Sequence, residues 1–135
     1  IHAPEVPAHF AGEPQAVKAG PYLFLSGMLA TDYRHGVAPE GRVDPAFPYH
    51  QSAAKRQVAY VLEKVEKICA AAGMGLEHLV RRKAIYSDLS EMGAAEAAWR
   101  ARLPEAIPTT AMRAACGLPV PGCLVLYDLV GYAER

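Results

Sequence analysis

The sequence has 135 residues, of which 52% are hydrophobic, and its 14 Lys plus Arg side chains equal its 14 Asp plus Glu side chains. This length suits one domain that buries a core without disulfides or metals, so we predict a single domain over 1–135. Balanced charge gives the chain no net field to attract nucleic acid or an anionic membrane. Composition therefore favours a small molecule as the ligand.

The three cysteines, Cys69, Cys116 and Cys123, are far apart, lack CxxC spacing and fall in segments predicted to be buried. An odd number of such thiols indicates a reducing compartment. No basic start precedes an apolar run, and no stretch of about 18 apolar residues exists. We expect a cytoplasmic protein that contacts no membrane. Since the first residue is Ile1, the sequence leaves open whether it is a piece of a longer polypeptide.

The first half predicts a hairpin, a loop and a helix. Residues 15–19 and 22–26 have the pattern of two strands joined at Gly20-Pro21, and the Gly- and Pro-rich residues 27–49 predict a long irregular loop. Apolar residues recur at helical spacing over 52–72, with Ser52 as N-cap and Gly73 as terminator. This pattern assigns Lys64, with the other charged residues of the helix, to the solvent-facing arc.

The second half predicts strand, helix, strand, strand. The strands are 79–87, 110–116 and 123–133, and the helix runs from a cap at Asp88 or Ser90 to about Leu103. Met92, Ala95, Trp99 and Leu103 define the helix face expected in the core. A Gly- and Pro-rich turn suggests that the last two strands are neighbours. The order β-β-α-β-α-β-β predicts an α+β fold with two helices on one face of a mixed sheet, and oligomerisation as the simplest cover for the other face.

Several segments resemble the RidA/YjgF family, which is also labelled the endoribonuclease L-PSP family. The resemblance rests on QAVKAG at 15–20, LFLSG at 23–27, AAAG at the end of the first helix, Asp88-Leu89, Pro108 and Leu118-Pro119. The resemblance implies a chorismate-mutase-like fold and a homotrimeric barrel. It also implies three clefts between subunits that bind small carboxylate-bearing metabolites. Active members hydrolyse enamines and imines as deaminases, without a cofactor.

Two residues that the resemblance would make functional are replaced. Family members carry Pro-x-Arg, whose guanidinium grips the substrate carboxylate, where this chain has Pro108-Thr109-Thr110. Arg113 lies three residues further, an odd offset that points to the other sheet face, so it is more readily an interface arginine than a displaced anion clamp. The family glutamate that orients water corresponds to Leu126, or to the equally inert Val125 in another register.

The resemblance supplies the remaining candidates. The carboxylates Glu13 and Glu96 stand at two other cleft positions, and Asp128 shares a strand face with Leu126. These three are the catalytic candidates, although solvated surface or structural roles are open for each. The candidate ligand-binding residues are Ser26, Gly27, Thr110, Met112 and Leu126. A cleft that gains carboxylates and loses arginine would favour a cationic or neutral ligand.

Other chemistry has little support in the residues. Five histidines lack metal-ligand spacing, so we predict no metal site. Cys116 has no histidine in the same strands and is expected to be a buried structural thiol rather than a nucleophile. Gly73-Met74-Gly75 lacks a dinucleotide fingerprint. The aromatic residues are not interleaved with cations, which argues against RNA.

Two hypotheses remain open. One is a RidA-like homotrimer that acts on or binds a small amino or imino metabolite. The other is a non-catalytic ligand-binding or scaffold subunit of the same fold.

Overall fold

The computed structural model describes residues 1–9, 12–34, 36–43 and 52–134. They form one five-stranded sheet and two helices in the predicted order, which confirms the α+β fold. The elements are β1 (Ala16–Ala19), β2 (Tyr22–Leu25), α1 (Ala53–Ala71), β3 (Leu79–Tyr86), α2 (Met92–Arg102), β4 (Thr109–Arg113) and β5 (Val125–Tyr132).

The strands lie in the order β1-β2-β5-β3-β4, with only β3 and β4 parallel. The predicted hairpin is present, and Gly20 takes the positive φ of 59° that its turn needs. The prediction that β4 and β5 are neighbours is wrong, because β3 separates them. Strand β4 reaches the outside edge through the α2 crossover, and β5 returns to pair with both β2 and β3. Gly and Pro residues mark the connection but do not fix where it leads.

Strand β4 is shorter than predicted, and this moves Cys116. The strand ends at Arg113, so Cys116 follows it in a loop and is exposed rather than buried. Cys69 and Cys123 are buried, as expected. The register confirms the orientation argued for Arg113: Thr110 pairs with Lys83 and Arg113 with Tyr86, on opposite faces of the strand.

Helix α1 begins and ends where its sequence predicts. The Ser52 hydroxyl accepts a hydrogen bond from the Lys55 amide at 3.2 Å, and Gly73 follows the helix at a φ of 74°. Its apolar face contributes Val58, Val61, Leu62, Val65 and Ile68 to the core.

Two positions on the helices differ from prediction. Lys64 is buried, although its helical position predicted solvent. Ala95 and Trp99 of α2 are buried, whereas Met92 is exposed because it is the first residue of the helix, after a 3-10 turn at Leu89–Glu91.

The segment after β2 is irregular, as predicted. Within its described part, Pro39–Gly41 forms a 3-10 turn and isolated bridges join Met28 to Tyr127 and Thr31 to Val37. Residues 44–49 of the predicted loop lie outside the described residues. Among the described residues no helix is long and apolar enough to cross a membrane.

The helices and the sheet bury one face of the sheet between them and leave the other uncovered in the single chain. We call the uncovered side the open face. Its aromatic cluster joins Tyr22 to Phe24 at 6.0 Å and Tyr22 to Tyr132 at 5.1 Å between ring centroids. By strand register, its other members include Val17, Arg81, Lys83, Ile85, Thr110, Met112, Leu126, Asp128 and Val130.

Candidate functional site

Four of the candidate residues form two rows across β4, β3 and β5. Thr110 is paired with Lys83, which is paired in turn with Asp128. One step along the face, Met112 is paired with Ile85 and Ile85 with Leu126. Because side chains alternate along a strand, the sequence put Thr110 and Met112 on one face of β4, and Leu126 and Asp128 on one face of β5. The register shows that these two faces lie on the same side of the sheet.

Lys83 is the residue of these rows whose importance the sequence did not indicate. Its Cα is the register partner of both Thr110 and Asp128, and its side chain is half-buried. The open face therefore has a cation beside the position of the replaced arginine, and this cation faces a carboxylate on the adjacent strand. Opposite charges that face each other across strands stabilise a sheet, which is the simplest role for Asp128.

Ser26 and Gly27 reach this region from the end of β2. A Cβ built on Gly27 would stand 3.5 Å from both δ carbons of Leu126, so these two candidates are in contact. The Ser26 amide donates to the Gln15 carbonyl at 3.0 Å, and its hydroxyl donates to the Pro14 carbonyl at 2.5 Å. The Ser26 amide is therefore already bonded within the chain, and the backbone amide of the pair that this bond leaves for a ligand is that of Gly27.

The candidates do not converge within one chain. Gly27 continues the line of β2, and three strand spacings separate β2 from β4. At about 4.8 Å per spacing, Gly27 and Thr110 are about 14 Å apart across the sheet. Glu13 lies further out, before β1. A compact site that uses both groups therefore needs the edge of a second copy.

Glu96 lies away from the other candidates, on the helix side of the sheet. Its carboxylate forms an ion pair with Arg82, with Nη1–Oε1 at 2.9 Å and an Nη2–Oε2 hydrogen bond of 3.0 Å. Tyr86 donates to the same carboxylate at 3.3 Å, and the Arg82 guanidinium stacks 4.4 Å from the Trp99 ring centroid. Burial, helped by Glu96, raises the pKa of Tyr86 to about 12. Sequence placed Glu96 in the cleft, but its partners are interior residues.

Glu13 is exposed and lies close to the buried imidazole of His9. Both line a cavity of about 370 Å³, together with residues of the N-terminal segment. The His9 ring packs on Tyr33, with 4.8 Å between centroids. Tyr33 has a φ of 61°, which is strained for a residue with a side chain, and its amide donates to the Thr31 hydroxyl at 2.9 Å. A histidine in a predicted loop gave no signal of this burial.

Buried Lys64 holds the Tyr33 loop against α1. Its Nζ donates to the Leu29 carbonyl at 2.8 Å and the Thr31 carbonyl at 3.1 Å, and it lies 5.2 Å from the Tyr33 ring centroid and 5.4 Å from that of Tyr60. Burial lowers the pKa of Lys64 to about 8. The loop that carries Tyr33, on which the His9 ring packs, is therefore held in place by the buried amine of Lys64.

A Lys64→Met variant is expected to lose about 2 kcal/mol of unfolding free energy at pH 7, because two buried carbonyls lose their donor. The folded pKa lies below the unfolded value of 10.5, so the unfolded chain binds more protons between about pH 8 and 10.5. Wild-type stability from this group therefore rises with pH in that window. In urea titrations, the difference between wild type and variant should be larger at pH 10 than at pH 7.

Lys67→Met, a control on the exposed side of the same helix, should change stability little at either pH. A difference between wild type and Lys64→Met that stays constant from pH 7 to pH 10 would contradict the burial of a lysine with a lowered pKa.

No metal centre is evident in the part of the chain that the structure describes, where no group of three His, Cys, Asp or Glu side chains is placed to hold an ion. His35 and His50 lie outside the described residues.

Solved structures with this fold match the chain over nearly its whole length. RidA from the Antarctic bacterium Psychrobacter sp. is 28% identical with a TM-score of 0.73, and the YjgF gene product of E. coli is 17% identical with a TM-score of 0.75. E. coli TdcF with bound serine is 16% identical with a TM-score of 0.74. Each match covers 96% of this chain and 94% of the other. No protein-family model and no curated protein matches the sequence.

The fold is therefore that of the YjgF-type α+β proteins. The RidA/YjgF family structures share this fold, in agreement with the sequence resemblance, and the low identities fit a divergent relationship.

Proposed function

We propose that the chain forms a homotrimer through its open face and binds a small amino or imino metabolite in the clefts between copies. The observation that carries this proposal is that the candidate ligand-binding residues of a single chain lie too far apart to contact one small ligand. Gly27, which contacts Leu126 of the central strand β5, is about 14 Å by strand spacing from Thr110 at the β4 edge. A second copy would bring the two parts of the site together.

The composition of the open face supports assembly. Val17 is 51% exposed, Phe24 47%, Tyr22 44% and Met112 41% in the single chain. Contiguous apolar surface of this kind marks contact sites rather than ordinary solvent-exposed sheet. A second copy is a suitable cover, because the face carries both a cation, Lys83, and a carboxylate, Asp128, and each can face the opposite charge of a neighbouring copy.

The ligand is proposed from the residues that line the cleft. Thr110 offers a hydroxyl where active relatives carry a guanidinium, and Leu126 offers no proton transfer. The related TdcF holds serine, which supports a ligand of amino-acid size. We propose an amine or imine whose recognition does not depend on an arginine clamp. Neither a cofactor nor nucleic acid is part of this proposal, and we expect a cytoplasmic setting.

Hydrolysis of an imine in this cleft is a more specific proposal than binding. An imine hydrolase would need a group that activates water, and Asp128 and Glu13 are the carboxylates available near the open face. Asp128 faces Lys83, and Glu13 is exposed. This arrangement favours ligand binding over deamination of the common 2-imino acids, and a non-catalytic binding or scaffold subunit is the alternative.

Sedimentation tests the assembly. Wild-type chain at micromolar concentration should sediment as three copies of 14.5 kDa. Phe24→Glu should shift the protein to monomer, because a charge would be buried in the apolar part of the contact. Leu89→Glu is the matched control, since Leu89 is 45% exposed but lies in the turn before α2. A wild-type monomer, or a trimer that survives Phe24→Glu, would contradict the proposal.

A further inference from the structure

The His9 imidazole is a buried polar group whose bonding the fold does not explain. The residue is 6% exposed, and apart from an interaction of the ring with the Gly27 backbone, neither ring nitrogen has a hydrogen-bond partner among the described residues. Leaving such a group unpaired costs free energy, and native structures usually give it a partner in water or a ligand. One face of the ring is already used by the contact with Tyr33.

His9 also forms part of the wall of two cavities. The smaller, about 370 Å³, is shared with Gly12, Glu13 and Pro14. The larger, about 600 Å³, is shared with Glu5, Asp32 and Arg34 among others. The smaller cavity contains Glu13, which the family resemblance places in the cleft, and it adjoins the Ser26 segment through the contact between Ser26 and Pro14.

The charges around His9 fit one kind of ligand. Burial is the main cause that lowers the pKa of the imidazole; Glu13 raises it, nearby Lys64 lowers it, and a hydrogen bond to the Gly27 backbone raises it, so the net shift favours the neutral ring. A neutral imidazole accepts one hydrogen bond, and the Glu13 carboxylate adds negative charge to the wall of the smaller cavity. This combination complements a protonated nitrogen and disfavours a carboxylate.

We propose that His9 and Glu13 form a subsite that binds the protonated amino or iminium group of a small ligand at the mouth of the cleft. The subsite rests on the proposed function and narrows its ligand to molecules recognised through nitrogen. His9 accepts a hydrogen bond from the ligand, Glu13 supplies the opposite charge, and Tyr33 holds the imidazole in place.

Two probes that differ in charge test the subsite. Alaninamide carries a protonated amine and no carboxylate, whereas N-acetylalanine carries a carboxylate and no free amine. In the 135-residue chain with nitrogen-15-labelled histidine, alaninamide should shift the His9 ring resonances saturably at pH 7. The resonances of His78, whose Nδ1 accepts from the Gly75 amide, should not move. N-Acetylalanine should leave His9 unchanged.

Matched variants identify the partner group. Glu13→Gln should weaken alaninamide binding by about three- to tenfold, which is the effect of losing one charge-assisted contact at a partly exposed site. Glu5→Gln, on the larger cavity, should not weaken it. His9→Leu should abolish binding, and an unchanged circular dichroism spectrum would confirm that this variant is folded.

Three results would overturn the subsite: no His9 shift with alaninamide, a stronger response to N-acetylalanine, or equal affinity of wild type and Glu13→Gln. The outcome is separable from that of the proposed function. A trimer whose His9 does not respond contradicts the subsite alone. A monomer whose His9 responds as expected supports the subsite and contradicts the cleft between copies.

Discussion

A Glu96→Gln variant is expected to lose about 3 kcal/mol of unfolding free energy, which is the size of effect seen when a buried ion pair loses one charge. The Arg82 side chain is 6% exposed and its guanidinium contacts Trp99 and Thr109 as well as Glu96. Glutamine keeps the shape of glutamate but leaves a buried cation without a counter-ion. Urea titration followed by circular dichroism, at one fixed protein concentration, measures the loss.

Two further variants separate the ion pair from simple loss of charge. Glu66→Gln removes an exposed carboxylate that pairs with Arg102 and should cost about 1 kcal/mol or less. The double variant Arg82→Met with Glu96→Gln should recover much of the stability lost by Glu96→Gln alone, because no buried charge remains. A stable Glu96→Gln single variant would contradict the interior role of Glu96 and return it to the list of cleft candidates.

A Thr110→Arg variant is expected to bind N-acetylalanine at least about tenfold more tightly than wild type, because a guanidinium offers a carboxylate two charged donors. Thr110 is exposed at the β4 edge, so the longer side chain has room. Calorimetric titration measures the affinity, with Thr110→Gln as a neutral control of similar length. Equal gains in both variants, or none in Thr110→Arg, would mean that Thr110 does not face the ligand.

Local patterns predicted the order of elements well. The spacing of apolar residues, the Ser52 cap and the Gly20 turn are encoded over a few neighbouring residues, and all three are present. Strand order was not predictable in the same way. Nothing in the residues between β4 and β5 indicates that β3 lies between these strands, because that depends on pairing over long sequence separations.

Polar residues were the main source of error in the site. Lys64 has the helical position of a solvent-facing residue, but the carbonyls of Leu29 and Thr31, more than thirty residues earlier in the chain, lie over it and accept its hydrogen bonds. Glu96 was assigned by resemblance, which carries no information on its local partner Arg82. The alternation of side chains along a strand did predict that Thr110 and Arg113 lie on opposite faces of β4, because this alternation is a local rule.

The most direct test of the central claim is hydrolysis of 2-iminopropionate generated in situ by an amino acid oxidase, compared among wild type, Thr110→Arg and a blank without protein. We propose a cleft of this fold that recognises nitrogen and lacks both the arginine clamp and the water-orienting acid, so wild type should match the blank. Clear acceleration by wild type would contradict it, because catalysis on a carboxylate substrate would then proceed without either group.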